Sequence, residues 1–353
     1  MRYKVSFPHF GNYYIPFEHI ITHGMEMDYV VPPPMTKRTL ELGSKYSPDT
    51  VCAPFKYTLG SMIEALECGA NMLIEAGGEC RLGYYGEIQE QILRDLGYEF
   101  EFINLYRVNY AKPLTFLPEL KRINPHFSWK KAATAGLAAY QMIQCMDREE
   151  DFLRKNIGFE REKGAFESVH QTFLQGLRKA QNSREARRLY ERCMAQMMRI
   201  PLNKPENPLR IGIVGEYYTI MDSFSNHNIE REMAKMGMSV ARWMNLSGNL
   251  LDGPPKKVHR KIKAYSKYNM GTTSMSTIDC ALTCAKEGYD GIIHLKSFGC
   301  TPEIDAVPVL QNISRDYKIP ILYFSFDSQT GEEGILTRLE AFYDMIVMRK
   351  EKQ

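Results

Sequence analysis

Three of the eight cysteines in this 353-residue chain lie where the local sequence predicts the start of a helix after an extended segment. Cys52 and Cys300 each lie shortly before a proline, a residue favoured in the first turn of a helix, and Cys80 follows a predicted strand across two glycines. Backbone amides and the helix dipole stabilise anions at such positions, including thiolates and the sulfides of an iron-sulfur cluster. These thiols could therefore hold a metal or a cluster, although position alone leaves burial in a core equally open.

The other five cysteines fit packing roles better. Cysteine is among the residue types most often buried, and Cys145 and Cys193 fall on apolar faces of predicted helices. Cys68 lies at a predicted helix end and is interpreted as structural. Cys280 and Cys284 form a C-x3-C pair that could bind a metal, but no second pair at zinc-site spacing accompanies it. Packing is favoured for this pair, and its role stays open.

A few polar residues near the cysteines are weaker candidates for chemistry. Glu216 and Tyr217 follow the predicted first strand of the C-terminal region, where loops often carry binding groups, but a solvated loop is an equally good interpretation. Lys56 and Arg81 flank the cysteines and could neutralise the charge of a cluster, although exposed basic side chains are commoner. His294 lies inside a predicted strand and is interpreted as a structural histidine.

Alternating strand and helix patterns on both sides of a helical middle place these residues in two α/β lobes with parallel sheets. Strands are predicted at residues 2–7, 27–31, 71–76, 99–103, 210–214, 239–243, 291–295 and 319–324. The pattern predicts an N-terminal lobe at 1–110, a helical insert and linker at 111–205, and a C-terminal lobe at 206–353. Thr330 and Glu333 predict a capping box at the start of the last helix.

Composition argues against several classes of function. The 45 basic and 42 acidic residues nearly balance, so charge gives no support for nucleic-acid binding. The N-terminus lacks the apolar run of a signal peptide, and no stretch of about 18 uncharged apolar residues exists, so a cytoplasmic protein without membrane contact is expected. The phosphate-binding loop G-x-x-x-x-G-K-[ST] is also absent, which argues against ATP hydrolysis by this chain.

Four segments, taken in order, resemble the 2-hydroxyacyl-CoA dehydratase superfamily, which includes benzoyl-CoA reductase subunits, double-cubane cluster proteins and activase-related proteins. The segments are VCAPFKYTLG at 51–60, LIEAGGECR at 73–81, HLKSFGCTPEID at 294–305 and FDSQTGEEGILTRLEAF at 326–342. The ordered set is more specific than any single motif. It covers both predicted lobes, whereas the helical middle carries little of the resemblance.

The resemblance implies two Rossmann-like lobes with a 4Fe-4S-type cluster in the cleft between them, held by Cys52, Cys80 and Cys300, with one iron left open. A double-cubane cluster is the alternative cofactor, but it would need twice as many ligands as the cysteines that fit the family pattern. The family's electron donor is a separate ATP-dependent iron-sulfur activase. The electron is used for low-potential reduction or radical dehydration of a small substrate, often an acyl-CoA.

A dehydratase or reductase component is therefore the expected function, working as a homodimer or beside a paired homologous subunit. The weak catalytic candidates are Glu216, Tyr217 and Lys56. Two alternatives stay open from the sequence. The chain could be an iron-sulfur electron-transfer or scaffold protein without its own substrate, or a two-lobed small-molecule binder whose cysteines are structural or bind zinc.

Overall fold

The structure, a computed structural model, describes residues 3–76, 80, 83–105, 121, 123–247 and 255–352. Its named strands form two four-stranded sheets in which every strand pairing is parallel. In both sheets the first strand along the chain lies between the second and the third. The fourth strand pairs with the third at one edge of the sheet. The predicted α/β architecture with parallel sheets is confirmed, and each predicted strand has a counterpart.

The first sheet is built from the N-terminal part of the chain. Its strands are β1 (Lys4–Ser6), β2 (Asp28–Tyr29), β3 (Met72–Glu75) and β4 (Glu101–Asn104), in the order β2-β1-β3-β4. The helices here are α1 (Tyr14–His19), which continues into a π-helical turn (Ile20–Gly24), α2 (Lys37–Tyr46), α3 (Ala53–Glu67) and α4 (Tyr85–Asp95). Met72 and Leu73 point to opposite faces of β3 and are both completely buried, so both faces of this strand are covered.

Helices α2 and α3 pack with their backbones in contact. A Cβ atom built on Gly43 would lie 1.7 Å from the carbonyl oxygen of Lys56, and one built on Gly60 would lie 1.9 Å from that of Thr39. Only glycine, which has no side chain, allows the two helices to approach this closely. Lys56 lies in the first turn of α3, the turn that follows Cys52. Its contact with Gly43 therefore fixes the position of the start of this helix.

The middle of the chain forms three long helices, α5 (Trp129–Asn156), α6 (Ala165–Lys179) and α7 (Ser183–Met197). The chain divides into two compact units, Met1–Cys145 with Phe173–Glu191, and Met146–Thr172 with Arg192–Gln353. Each of the three helices therefore contributes residues to both units. Among the helices that the structure describes, none combines the length and the apolar composition needed to cross a membrane.

The second sheet belongs to the C-terminal part of the chain. Its strands are β5 (Leu209–Gly215), β6 (Met238–Ala241), β7 (Gly291–Ser297) and β8 (Ile321–Phe326), in the order β6-β5-β7-β8. The helices are α8 (Tyr217–Met221), α9 (Ile229–Lys235), α10 (Pro255–Ile262), α11 (Thr272–Lys286), α12 (Thr301–Tyr317) and α13 (Glu332–Glu351).

Helices cover both faces of β7. His294 bonds to Glu303 of α12 on one face, with 2.8 Å between Nε2 and Oε2. Gly291, three residues earlier, faces the opposite side, where an added Cβ would meet Phe342 and Ile346 of α13 at 2.8 Å. All seven residues of this strand are buried, as expected for a parallel strand between two layers of helices.

The last helix begins differently from the prediction. Gly331 is the N-cap of α13, and no side chain caps that helix. The Thr330 hydroxyl instead donates to the Asp327 carboxylate at 3.0 Å and accepts from the Asp327 amide at 2.9 Å. The predicted capping box at Thr330 is therefore wrong, because a nearby aspartate competes for the hydroxyl. A capping box does form at α2, where Thr36 and Thr39 exchange side-chain to backbone bonds.

A buried histidine and glutamate form an ion pair in the second unit. Nδ1 of His170 lies 3.0 Å from both carboxylate oxygens of Glu149, whose side chain is fully buried. Burial lowers the pKa of His170, but the hydrogen bond and the charge of Glu149 outweigh it, so that the pKa is raised above 6.5. Burial also raises the pKa of Glu149, against the opposing effect of His170. The folded protein therefore holds protons on this pair more tightly than the unfolded chain does.

We expect Gly43→Ala to destabilise the protein by about 3 kcal/mol, because the new methyl group would force α2 and α3 apart. Gly136→Ala is the matched control, since Gly136 also lies inside a helix but no atom lies within 4 Å of its Cβ position. The control should be neutral or stabilising by up to about 1 kcal/mol. Urea unfolding measures both effects. Equal destabilisation by the two substitutions would contradict the backbone contact between α2 and α3.

The ion pair predicts a pH dependence of stability. Because the pKa of His170 is raised on folding, the stabilisation that comes from the protonated histidine is fully present below its unfolded value and is lost as pH rises through the folded value. His170→Gln should cost about 3 kcal/mol at pH 6, since the Glu149 carboxylate loses its cation, and less at pH 8. His126→Gln, at an exposed position, should cost little at either pH. Urea unfolding at the two pH values tests this, and a cost for His170→Gln that does not change with pH would refute it.

Candidate metal-binding cysteines

Cys52 is the N-cap of α3, as the sequence predicts. Its backbone is extended, with φ −69° and ψ 159°, proline lies in the first turn, and no side chain caps the helix. The segment before it differs from the prediction. Helix α2 and a short connection precede Cys52, so the thiol does not follow a strand directly.

A tyrosine contacts the Cys52 thiol. The hydroxyl of Tyr85 lies 2.6 Å from the sulfur, and Tyr85 is the first residue of α4. Its ring is 8% exposed and packs edge-on against Phe55 of α3, with 4.8 Å between the ring centroids. Because the ring is packed in this way, the hydroxyl is fixed next to the sulfur. Sequence reasoning missed Tyr85, since the two residues are 33 positions apart.

Cys80 lies between the carboxyl end of β3 and the start of α4, and it is partly buried. It comes five residues before Tyr85, so the chain that carries Cys80 leads directly into the helix that contacts Cys52. Arg81, a predicted neutralising residue, lies outside the described residues.

Cys300 is the N-cap of α12. Its amide donates to the carbonyl of Ser297, the last residue of β7, at 3.1 Å, and no side chain caps the helix. Strands β7 and β3 occupy equivalent places in their sheets, each beside the first strand, so Cys300 and Cys80 follow equivalent strands. The pattern Cys-x-Pro occurs at both N-caps, at 52–54 and at 300–302. This repeated pattern in the sequence indicates that the two cysteines have the same place at a helix start.

The other cysteines have different surroundings. Cys145, Cys193, Cys280 and Cys284 are buried, and Cys68 is exposed at the C-cap of α3. Burial raises the pKa of Cys193 and of Cys280 to about 12, and that of Cys284 well above its ordinary value. A ligand thiol must lose its proton, so these three positions are poorly suited to bind a metal. The packing interpretation is supported for the C-x3-C pair.

The sulfur of Cys284 occupies the space beside a glycine of β5. A Cβ built on Gly212 would lie 2.2 Å from this sulfur. Cys284 therefore packs directly against the sheet, in place of the side chain that Gly212 lacks.

Of the weaker candidates, Glu216 has a structural role in the second unit. Glu216 is the N-cap of α8, and its carboxylate accepts from the amides of Tyr218 and Thr219, both at 2.8 Å. Burial raises its pKa, against the lowering effect of these bonds. Tyr217 is the first residue of α8, and Lys56 lies in the first turn of α3 in the other unit. Within the described ranges, no three His, Cys, Asp or Glu side chains form an arrangement that could hold a metal ion.

The contact between Tyr85 and Cys52 can be measured in the metal-free protein by a double-mutant cycle. We expect Tyr85→Phe and Cys52→Ala to be coupled by about 1 kcal/mol, because each removes the same hydrogen bond. Tyr85→Phe combined with Cys300→Ala should be additive, because Cys300 is the N-cap of α12 in the other unit. Urea unfolding provides the free energies. Additive effects in the first pair would show that the hydroxyl and the thiol do not interact.

Comparisons with known proteins do not assign the chain to a family. No protein-family model matches it, and no curated protein matches it either. Membership of the 2-hydroxyacyl-CoA dehydratase superfamily therefore stays a prediction from the four segments.

Proposed function

We propose that this chain is an iron-sulfur redox protein of the 2-hydroxyacyl-CoA dehydratase type, with Cys52, Cys80 and Cys300 as thiolate ligands. The main support for this proposal is that Cys80 and Cys300 follow equivalent strands in two sheets that have the same strand order. In open parallel sheets of this kind, ligands bind outside the carboxyl ends of the strands beside the point where the order reverses.

The donor set fits such a group. Thiolates are the usual ligands of iron-sulfur clusters. All three cysteines are partly exposed, unlike the four that are buried in the core. Cys52 and Cys300 stand at helix N-termini without a side-chain cap, where backbone amides and the helix dipole stabilise negative charge. The Tyr85 hydroxyl can donate to the Cys52 thiolate, and hydrogen bonds to sulfur are one of the means by which a protein adjusts a cluster's reduction potential.

A bound cluster would store one electron and offer an iron as Lewis acid. The proposed activity is low-potential reduction or radical dehydration of a small substrate, with acyl-CoA esters as the first class to test. The proposed electron donor is an ATP-dependent iron-sulfur activase, and the proposed assembly is a homodimer or a pair with a homologous subunit. Within this chain, α3 and α12 would hold their cysteines in place, and Tyr85 would orient the sulfur of Cys52.

Anaerobic purification followed by analysis of iron and acid-labile sulfide tests the ligand assignment. Wild-type protein should contain both, and serine at position 52, 80 or 300 should remove most of the iron, because a hydroxyl replaces a thiolate ligand. Cys68→Ser is the matched control, since Cys68 lies at the opposite end of the same helix as Cys52 and is exposed. That variant should keep its iron.

Wild-type protein that lacks sulfide under strict exclusion of oxygen would overturn the proposal, as would equal loss of iron in the Cys68 variant. A second measurement separates an enzyme from an electron carrier. The reduced protein should change its visible spectrum when an acyl-CoA ester is added. A spectrum that no tested ester changes would favour an electron-transfer role.

A further inference from the structure

Helix α13 carries apolar side chains on two of its faces. Phe342 and Ile346 are buried, and both lie beside Gly291 of β7. Met345 and Met348 lie on a different face, where they are 43% and 56% exposed. A surface helix that packs on a sheet needs only one apolar stripe. The second apolar face is therefore available for a contact outside the unit.

This second face of α13 lines an open groove with a volume of about 670 Å³. The described residues that line the groove recur along the helix at intervals of three and four, so they form one stripe. The stripe has two methionines at its centre and charged side chains on both sides of them. Its members are Ala341, Asp344, Met345, Met348, Arg349 and Lys352.

The charged residues of the stripe have few partners within the chain. In the part of the chain that the structure describes, neither Asp344 nor Lys352 forms an ion pair. Arg349 donates one hydrogen bond to the carbonyl of Lys318, the C-cap of α12. A guanidinium has five N–H donors, so most of those of Arg349 can still bind a carboxylate. An occupant of the groove should therefore offer a cation to Asp344 and an anion to Arg349.

A second copy of α13 meets this requirement when the two helices run antiparallel. With a twofold axis midway between positions 346 and 347, Asp344 lies opposite Arg349 of the second copy, and Met345 lies opposite Met348 of the second copy. Ala341 and Lys352, the ends of the stripe, also lie opposite each other. Every member of the stripe thus has its counterpart within the same stripe, as a twofold contact requires.

The geometry of a helix pair favours this arrangement over a parallel one. At a rise of 1.5 Å per residue, Asp344, Met345, Met348 and Arg349 all lie within about 4 Å of the axis along the helix. These four residues therefore meet at any of the usual crossing angles. A parallel pair would place Asp344 beside Asp344 and Arg349 beside Arg349, and like charges oppose association.

We propose that α13 forms the contact surface of a homodimer, in which two antiparallel copies of the helix pack through Met345 and Met348 with an Asp344–Arg349 ion pair on each side. The inference deepens the assembly given under the proposed function, on which it rests, by selecting the homodimer and naming its surface. Methionine and arginine are both enriched at protein interfaces. The contact uses residues of the second unit and none of the proposed cluster ligands.

Sedimentation velocity on the full-length, metal-free protein tests the interface over a range of concentrations. The wild type should pass from the mass of one chain to the mass of two as the concentration rises. Met345→Lys should weaken dimerisation at least about tenfold, because it places an ammonium in the apolar centre of the contact. Met198→Lys is the matched control, since Met198 is 66% exposed and follows α7. This variant should dimerise like the wild type.

A charge exchange tests the register of the two helices. Asp344→Arg and Arg349→Asp should each weaken dimerisation at least about tenfold, because each places like charges opposite one another on both sides of the axis. The double variant should dimerise within about threefold of the wild type, since every ion pair is then restored with its charges exchanged. Recovery in the double variant also separates the ion pair from the bond between Arg349 and Lys318, which the double variant lacks.

Three results would overturn the interface. They are a wild type that remains a monomer up to about 0.1 mM, a dimer that Met345→Lys does not weaken, and single charge variants that the double variant does not rescue. Iron and sulfide analysis of anaerobically purified protein is independent of these results. A monomer that contains the cluster would contradict the interface alone, and a dimer without iron would contradict the proposed function alone.

Discussion

The burial of β7 inside its sheet is the constraint on which the C-terminal unit depends. Since all seven residues are buried, their main-chain groups must pair with β5 and β8, and helices must cover both faces. This requirement fixes where α12 begins and therefore where Cys300 lies. It also places two polar residues, His294 and Lys296, where a buried strand would ordinarily carry aliphatic side chains. The Glu303 carboxylate compensates the first of these through a hydrogen bond.

The same architecture sorts the cysteines by their ability to ionise. Thiols in the core, such as Cys193 and Cys280, have raised pKa values because water is excluded and negative charge is poorly solvated there. Cys80 and Cys300 follow strands, Cys52 and Cys300 are helix N-caps, and all three thiols are partly exposed. Metal ligation or redox chemistry by thiolates is therefore favoured at these three positions over the buried ones.

The sequence predicted the strands well, because each is a short apolar run between turn residues. It predicted Cys52 at a helix N-terminus from Pro54, but it assigned no helix to the stretch that forms α2, although Thr36 and Thr39 cap that helix. The contact of Tyr85 with Cys52 could not be predicted, since it depends on how α3 and α4 pack. The bond between His294 and Glu303 could not be predicted either, because it depends on how α12 packs on β7.

The contact between Gly212 and Cys284 limits how this sheet can change during evolution. Because the sulfur of Cys284 fills the volume beside Gly212, a larger residue at 212 requires a smaller one at 284, and the two positions are expected to vary together. The same geometry shields the thiol from oxidants and alkylating reagents as long as α11 stays packed on β5. Cys284 therefore behaves as a fixed part of the interior, and its chemical modification would report on local opening of the sheet.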